Sequence, residues 1–258
     1  ALQRRFREYT GTTIIIYQQL CANEKRRRQK RTQLPGPTAK IVIHPELCEG
    51  CGDCSTQSNC LAIKPITTAL GTKRVIDQHS CNTDLSCLDG FCPSFISLTT
   101  TSNLRVTPNP EPASPLFDPL PDPTQADLAQ PWSCLIAGVG GTGVLTVGAL
   151  LAMAAHIDGK GFATMNQTGL AQKFGAVVSH LKVAARQADI HAVRVAERQS
   201  QLLIGCDLVV AANGETLTKL HPTTCSSVLN THESVTSEFI QNPDFRISTD
   251  GLTQTVRS

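Results

Sequence analysis

Seven of the eleven cysteines in the chain lie between Cys48 and Cys92. The first three, Cys48, Cys51 and Cys54, follow one another at intervals of three residues. Thiolates at positions i, i+3 and i+6 of a turning loop can bind three irons of one cubic iron–sulfur cluster. Cys92 directly precedes Pro93, as the last cysteine of such a pattern does. The spacing therefore predicts iron–sulfur clusters and a chain that carries electrons.

The reference spacing is C-x2-C-x2-C-x3-C-P, and in proteins with two clusters its fourth cysteine binds the other cluster. On this pattern Cys48, Cys51, Cys54 and Cys92 bind a first 4Fe–4S cluster. Cys60, which follows the first run, is then assigned to a second cluster.

The second half of the cysteine region replaces one expected cysteine by a carboxylate. Asp84 stands midway between Cys81 and Cys87, where a middle cysteine is expected. A carboxylate can bind iron, although it is a harder ligand than a thiolate. We therefore predict a second cluster bound by Cys60, Cys81, Cys87 and Asp84, with a labile iron and a 3Fe–4S form. The alternative is that Asp84 caps local backbone groups of its loop.

The competing metal interpretation is a zinc-stabilised binding module with a basic arm. Zinc ribbons usually pair two C-x2-C knuckles, whereas a three-cysteine loop and a Cys-Pro ending favour iron–sulfur. Backbone amides near Gly50 and Gly52 are expected to donate to cluster sulfurs and tune the potential. The remaining cysteines occur singly and are interpreted as ordinary buried thiols: Cys21, Cys134, Cys206 and Cys225.

A glycine-rich loop further along the chain matches G-x-G-x-x-G, with glycines at Gly138, Gly140, Gly141 and Gly143. Between a strand and a helix this is a dinucleotide-binding fingerprint, in which backbone amides approach a phosphate. The acidic residue that binds the ribose is missing, because the next predicted strand runs into Met165-Asn166-Gln167. A packing or interface role, or another anionic ligand, is therefore favoured over NAD.

Local patterns predict the elements that position these residues. Helices are expected at 22–31 and 143–156, and strands at 12–17, 41–43, 61–67, 74–77, 134–137, 162–165, 176–184 and 208–212. The fold class that follows is an α+β ferredoxin-like two-cluster module before an α/β domain with a mostly parallel sheet.

Composition divides the chain into four segments. Residues 1–33 are interpreted as the end of a preceding domain, 41–100 as the cysteine module, and 132–258 as a further domain. Residues 101–131 contain eight prolines and are predicted to be an extended linker. Since the chain begins with Ala1 and lacks an apolar leader, we expect a fragment of a cytoplasmic protein.

Charge is unevenly spread along the chain, whose net charge is +2. Residues 1–40 hold ten Lys or Arg and two Asp or Glu, so the basic excess is local and does not indicate nucleic-acid binding. The uncharged run at 133–157 is long enough to suggest a membrane helix, but its glycines divide it into a strand, a loop and a helix. We therefore expect neither nucleic acid nor membrane as a partner.

Longer motifs extend along most of the chain, from the cysteine region towards its end. Together they resemble the fused-subunit family of indolepyruvate ferredoxin oxidoreductases, within the 2-oxoacid:ferredoxin oxidoreductases. The motifs are Cys48-Glu49-Gly50-Cys51-Gly52-Asp53-Cys54, Gln57-Ser58-Asn59-Cys60, Ser80-Cys81-Asn82, Gly90-Phe91-Cys92-Pro93, Gly140-Gly141-x-Gly143-Val144, Gln167-Thr168-Gly169, Thr231-His232-Glu233 and Asn242-Pro243-Asp244-Phe245.

The resemblance implies part of an enzyme that oxidatively decarboxylates a 2-oxoacid such as indolepyruvate to an acyl-CoA. Electrons would leave through two 4Fe–4S clusters to ferredoxin. Residues 1–33 would end a thiamine-diphosphate domain whose cofactor and Mg²⁺ site lie elsewhere, and 132–258 would be an incomplete gamma-type domain that helps to position substrate or CoA. The expected partners are ferredoxin, the rest of the enzyme and further copies of it. An NAD-linked iron–sulfur oxidoreductase is the alternative enzyme.

Overall fold

The structure is a computed structural model that describes residues 2–31, 33–37, 39–99, 127–169, 174–234, 236, 238–242 and 244–258. The chain divides into two compact units, Ala1–Pro108 with Ile240–Pro243, and Asn109–Phe239 with Asp244–Ser258. Most of the proline-rich segment predicted to be a linker lies outside the described residues.

The first unit begins with two short helices, α1 (Leu2–Phe6) and α2 (Ala22–Lys30). The helix predicted at 22–31 is thus confirmed. The strand predicted at 12–17 is wrong, because these residues form no regular element. Ile16 is 89% exposed and has no buried face on which a sheet partner could pack.

Two antiparallel pairs of strands frame the cysteine region, and they confirm the strands predicted there. The first pair joins the two ends of the region, and the second is a hairpin. A short helix and a 3-10 turn each contain one cysteine. The elements are β1 (Ala39–Ile43) with β4 (Phe95–Thr99), β2 (Ile63–Thr68) with β3 (Gly71–Ile76), α3 (Asp53–Ser58) and the 3-10 turn Ser86–Leu88.

The core of this region is small and aliphatic. Alternate residues of β1 and β3 are buried, as expected for strands with one solvated face. The buried members are Ile41, Ile43, Cys48, Ala62, Ile63 and Ile76. Five half-buried residues pack against them, four of which are cysteines: Cys54, Cys60, Cys81, Cys87 and Phe95.

The second unit is built on a five-stranded sheet in the order β6-β7-β5-β8-β9. The central strand is almost wholly buried, as its continuous apolar sequence predicts. The strands are β5 (Trp132–Val139), β6 (Gly161–Thr168), β7 (Ala176–Ala184), β8 (Leu202–Gly205) and β9 (Ser226–Leu229). The helices of this part are α4 (Val144–Ile157), α5 (Leu208–Ala211), α6 (Gly214–Leu217) and α8 (Thr249–Arg257). A further short helix, α7 (Glu238–Gln241), has residues in both units.

The mostly parallel sheet expected for this unit is wrong, because the sheet is mixed. β7 lies between β6 and β5 and is antiparallel to both, whereas β8 and β9 extend the sheet in parallel. β6 and β7 follow each other in sequence, so they can pair without a helical crossover.

The strand predicted at 208–212 is also wrong, since this apolar run forms helix α5. The carboxylate Oδ1 of Asp207 accepts the backbone N–H of Val210 at 2.9 Å and so caps the start of the helix. The neighbouring strand is β8, which ends at Gly205, two residues before the cap.

Helix α4 covers one face of the sheet through its small residues. Gly148 lies so close to β7 that a β carbon added there would come within 2.7 Å of the hydroxyl of Ser179. The uncharged run at 133–157 is therefore divided into β5, a loop and α4, as predicted. Among the described helices, none combines the length and the apolar character that a membrane crossing requires.

Candidate functional site

The first cysteine loop has two glycines in the left-handed conformation, Gly50 with φ of 77° and Gly52 with φ of 84°. The backbone N–H of Gly50 donates to the Sγ atom of Cys48 at 3.3 Å. A β carbon at Gly50 would collide with the backbone carbonyl of Thr72 in β3. The loop therefore needs glycine here, and it directs an amide at a cysteine sulfur, as expected from the sequence.

The second cysteine loop repeats this geometry without glycine. Thr83 has φ of 54° and Leu85 has φ of 62°. The backbone N–H of Thr83 donates to the Sγ atom of Cys81 at 3.3 Å. Left-handed conformations cost a non-glycine residue about 1–3 kcal/mol each, and such strain concentrates at functional sites.

The two loops correspond residue by residue when Cys48 is matched to Cys81. In both, the amide two positions later donates to the first sulfur, and positions two and four residues later have positive φ. Asp84 then corresponds to Cys51, and Cys87 corresponds to Cys54. The structure thus places Asp84 at the position that Cys51 has in the first loop.

The cysteines of the predicted second set lie near one another. Burial raises the pKa of the Cys87 thiol to about 11, and the charges of Cys60, Cys81 and Asp84 act in the same direction. Because all four groups become negative on ionisation, together they favour a cationic centre between them. Iron supplies such a charge when a cluster is bound.

The cysteines of the predicted first set differ in their surroundings. Cys48 is buried and Cys54 is half-buried against the same core, whereas Cys51 is exposed. The Sγ atom of Cys92 lies 3.0 Å from the hydroxyl oxygen of Ser94, which is buried. Cys48 and Cys54 are close enough for their charges to interact.

Asp84 also makes the contacts that its alternative interpretation predicts. Its Oδ1 atom accepts the hydroxyl of Ser86 at 3.1 Å and the backbone N–H of the same residue at 3.4 Å. The side chain therefore caps polar groups of its own loop.

Cysteine thiols with backbone amides that donate to their sulfurs are a donor set that an iron–sulfur cluster would fit. Within the described residues, no three His, Cys, Asp or Glu side chains converge closely enough to share one ion. Structural zinc requires four ligands on a single ion, whereas a cubic cluster binds each cysteine through a different iron. Amide donors to sulfur and an apolar core behind the cysteines complete the surroundings that such a cluster needs.

Backbone N–H groups of the glycine loop donate to carbonyls of the protein itself. The N–H of Gly140 donates to the carbonyl of Gly175 at 2.8 Å, and the N–H of Thr142 donates to the carbonyl of Val139 at 3.1 Å. A β carbon at Gly138 would approach the side chain of Thr142 to 2.6 Å. Two amides that could have bound a phosphate are thus already used, which favours the packing role over dinucleotide binding.

Two of the buried titratable residues lie where the sequence patterns assigned no site. Arg74 is 1% exposed and His180 is fully buried. The ring of His180 accepts the backbone N–H of Val195 at Nδ1, at 3.1 Å, and its Nε2 lies 3.1 Å from Oε1 of Gln167. Burial lowers the pKa of His180 to about 4, assisted by the nearby charge of Lys219. The burial of Arg74 could have been inferred from its position two residues before Ile76, because alternate residues of a strand share one face.

Two solved structures resemble part of the chain. One is pyruvate oxidoreductase subunit PORC from Thermotoga maritima, with 16% identity, a TM-score of 0.32, and coverage of 43% of this chain and 55% of that one. The other is the gamma subunit of keto/oxoacid ferredoxin oxidoreductase from Geobacter sulfurreducens, with 20% identity, a TM-score of 0.22, and coverage of 39% and 62%. The chain thus spans somewhat more than half the length of either protein.

The family comparison concerns the second unit. No curated protein matches the sequence significantly. Residues 133–256, just under half of the chain, match the family model described as pyruvate ferredoxin/flavodoxin oxidoreductase. The matched range begins in β5 and ends in α8, so it takes in the whole mixed sheet. This part of the chain is therefore similar to the pyruvate ferredoxin/flavodoxin oxidoreductase family.

Proposed function

We propose that the chain is the electron-relay and gamma-type portion of an oxidoreductase that decarboxylates a 2-oxoacid to an acyl-CoA and reduces ferredoxin. The relay consists of two clusters in the cysteine region. The first is held by Cys48, Cys51, Cys54 and Cys92, and the second by Cys60, Cys81, Cys87 and Asp84.

The observation that carries this proposal is the repeated loop geometry around Cys48 and Cys81. Each loop directs an amide at a cysteine sulfur at 3.3 Å, and such donors stabilise the negative charge of a bound cluster. In the second loop this geometry is retained by Thr83 and Leu85 despite its conformational cost. Backbone strain of this kind is concentrated at functional sites.

When bound, the clusters supply one-electron redox chemistry, and the chain's residues determine where that chemistry occurs. The apolar core formed by Ile41, Ile43, Ile63 and Ile76 keeps water from the inner side of the cysteines. The exposed Cys51 and the exposed loop at Asp84 leave the outer side open. Electron exchange with a ferredoxin is expected on this outer side.

The family domain supports the assignment to a 2-oxoacid oxidoreductase. Indolepyruvate is the proposed substrate, on the basis of the motifs that resemble the fused-subunit family. Thiamine diphosphate and Mg²⁺ belong to the catalytic part of the enzyme, and residues 1–33 would end that part. The domain at 132–258 is proposed to help position substrate or CoA, within an enzyme that associates with further copies of itself.

The test is anaerobic reconstitution of the full chain with iron and sulfide, followed by metal and sulfide analysis. We expect about eight irons and eight sulfides per chain, as two cubic clusters require. Electron paramagnetic resonance of the reduced sample should show two interacting clusters. A preparation with stoichiometric zinc and no acid-labile sulfide would refute the relay.

Matched cysteine variants make this test specific. Cys81→Ser removes a proposed ligand and is expected to lower the iron content by about half. Cys225→Ser changes a thiol in the other unit and is expected to leave the iron content unchanged. Equal losses in the two variants would show that the iron bound is not held at the proposed site.

The substrate is tested separately, in the assembled enzyme with its thiamine-diphosphate part. Indolepyruvate with CoA is expected to reduce the clusters faster than pyruvate does, as followed by the loss of visible absorbance. The chain alone is expected to show no reduction with either acid. Faster reduction by pyruvate would retain the relay and replace the substrate.

A further inference from the structure

Arg74 is a charged residue in the interior of the cysteine region, with 1% of its surface exposed. It lies in β3 opposite Pro65 of β2, two residues before Ile76. Residues two apart in a strand, and residues paired across antiparallel strands, share one face of the sheet. Arg74 therefore lies on the face that carries Ile63 and Ile76, two members of the core against which the cysteines pack.

The same strand passes directly beside the first cysteine loop. The backbone carbonyl of Thr72 lies where a β carbon of Gly50 would stand, so the two backbones are in close contact. Arg74 follows Thr72 by two residues and precedes Ile76 by two. Along β3 it therefore lies between the residue that contacts the Cys48 loop and a residue of the core.

Cys54, which follows this loop, packs against the same core as the strand face that carries Arg74. A guanidinium keeps its charge throughout the physiological pH range.

We propose that Arg74 raises the reduction potential of the cluster held by Cys48, Cys51, Cys54 and Cys92, by placing a fixed positive charge beside it in the interior. This inference rests on the proposed function, because it requires that cluster. Arg74 would influence electron flow through its charge and would not bind the cluster as a ligand.

The physical reason is a difference in charge between two redox forms. A cluster bound by thiolates gains one negative charge when it accepts one electron, and no proton or bond needs to move. A nearby positive charge stabilises the more negative, reduced form, and the low dielectric of the interior strengthens this effect. Reduction potentials of such clusters depend on net charge and solvent exposure in this way.

The experiment is a redox titration of the reconstituted full chain with dithionite, followed by electron paramagnetic resonance. Wild type is compared with Arg74→Met and Arg74→Lys. The control is Lys73→Met, which removes an equal charge from the adjacent residue, on the opposite face of β3. Iron and sulfide contents are measured for each variant, so that loss of a cluster is separated from a change in its potential.

For Arg74→Met we expect the reduced-to-oxidised ratio of one cluster to fall at least tenfold at fixed potential, which is about 59 mV for one electron. The other cluster should move less. Arg74→Lys retains the charge on a shorter side chain and should shift the same cluster by less, in the same direction. Lys73→Met should give less than half of the Arg74→Met shift.

The outcomes separate this inference from the proposed function. A wild type without acid-labile sulfide overturns both. Clusters at full content with wild-type midpoints in Arg74→Met, or shifts equal to those of Lys73→Met, overturn the role of Arg74 alone. If Arg74→Met assembles no cluster, the neutral but polar variant Arg74→Gln takes its place, and a midpoint equal to that of wild type in Arg74→Gln then overturns the role.

Discussion

The buried His180 should make the stability of the second unit depend on pH. Its Nδ1 atom accepts a backbone N–H, so the ring is neutral in the folded protein, and its pKa is lowered to about 4 from the usual 6.5. The charged groups that face it include Lys219, Arg194 and Lys182, with Glu215 as the opposing charge. Protonation of the ring would break the bond to Val195 and place a buried charge among cations.

The sign and size of the effect follow from proton linkage. Below pH 6.5 the unfolded chain binds a proton at this histidine that the folded chain does not, so stability falls as the pH falls towards 4. The full difference amounts to about 3 kcal/mol, since each unit of pKa shift corresponds to about 1.4 kcal/mol. Between pH 7 and pH 5 about 2 kcal/mol of this is expected to be lost.

Trp132 makes the measurement selective, because it is the only tryptophan and lies in β5. Urea unfolding of the full chain is followed by its fluorescence at pH 7 and pH 5, for wild type and His180→Asn. The amide oxygen of Asn can still accept the N–H of Val195, but it does not titrate. We expect a pH-independent loss in the variant and a loss on acidification smaller than that of wild type by about 2 kcal/mol. Equal losses on acidification in the two proteins would refute the reasoning.

Three further predictions concern single residues. Asp84→Ala should lower the iron count of the reconstituted chain, and an unchanged count and spectrum would remove Asp84 from the ligand set. Asp207→Ala should lower the free energy of unfolding by about 1–2 kcal/mol, since the N–H of Val210 loses its cap; Asp207→Asn, which keeps an acceptor, should lose less in the same denaturation assay. Gly161→Ala should destabilise the chain by about 1–3 kcal/mol, because the added methyl meets backbone, whereas Gly214→Ala meets no atom within 4 Å and should be neutral on thermal melting.

Local sequence patterns predicted most of the elements but not how the strands pair. The apolar runs at 134–137, 162–165 and 176–184 are strands, and 144–157 is a helix. The direction of β7 could not be read from its own residues, because pairing depends on which neighbour the chain returns to. The run at 208–212 was mistaken for a strand although Asp207 stands before it, and an aspartate before an apolar run is a helix start signal.

In the candidate site, too, the spacing of the residues could be predicted from the sequence, whereas the backbone conformation could not. The intervals between the cysteines are visible in the sequence, and they predicted that Cys81, Asp84 and Cys87 belong to one ligand set. The left-handed conformation of Thr83 and Leu85 could not be predicted, because neither residue favours it. Arg74 was missed for a related reason: a charged residue is taken as exposed unless the face of its strand is known.

The pairing of β1 with β4 has a consequence for how the cysteine region can be handled. Ala39 is the register partner of Thr99, so the two ends of the region emerge side by side. A segment with adjacent ends can be inserted into, or excised from, a longer polypeptide without stretching its host. Residues 39–99 are thus expected to tolerate transfer into another protein. A circularly permuted version with its termini at the hairpin around Leu70 is expected to retain the native fold.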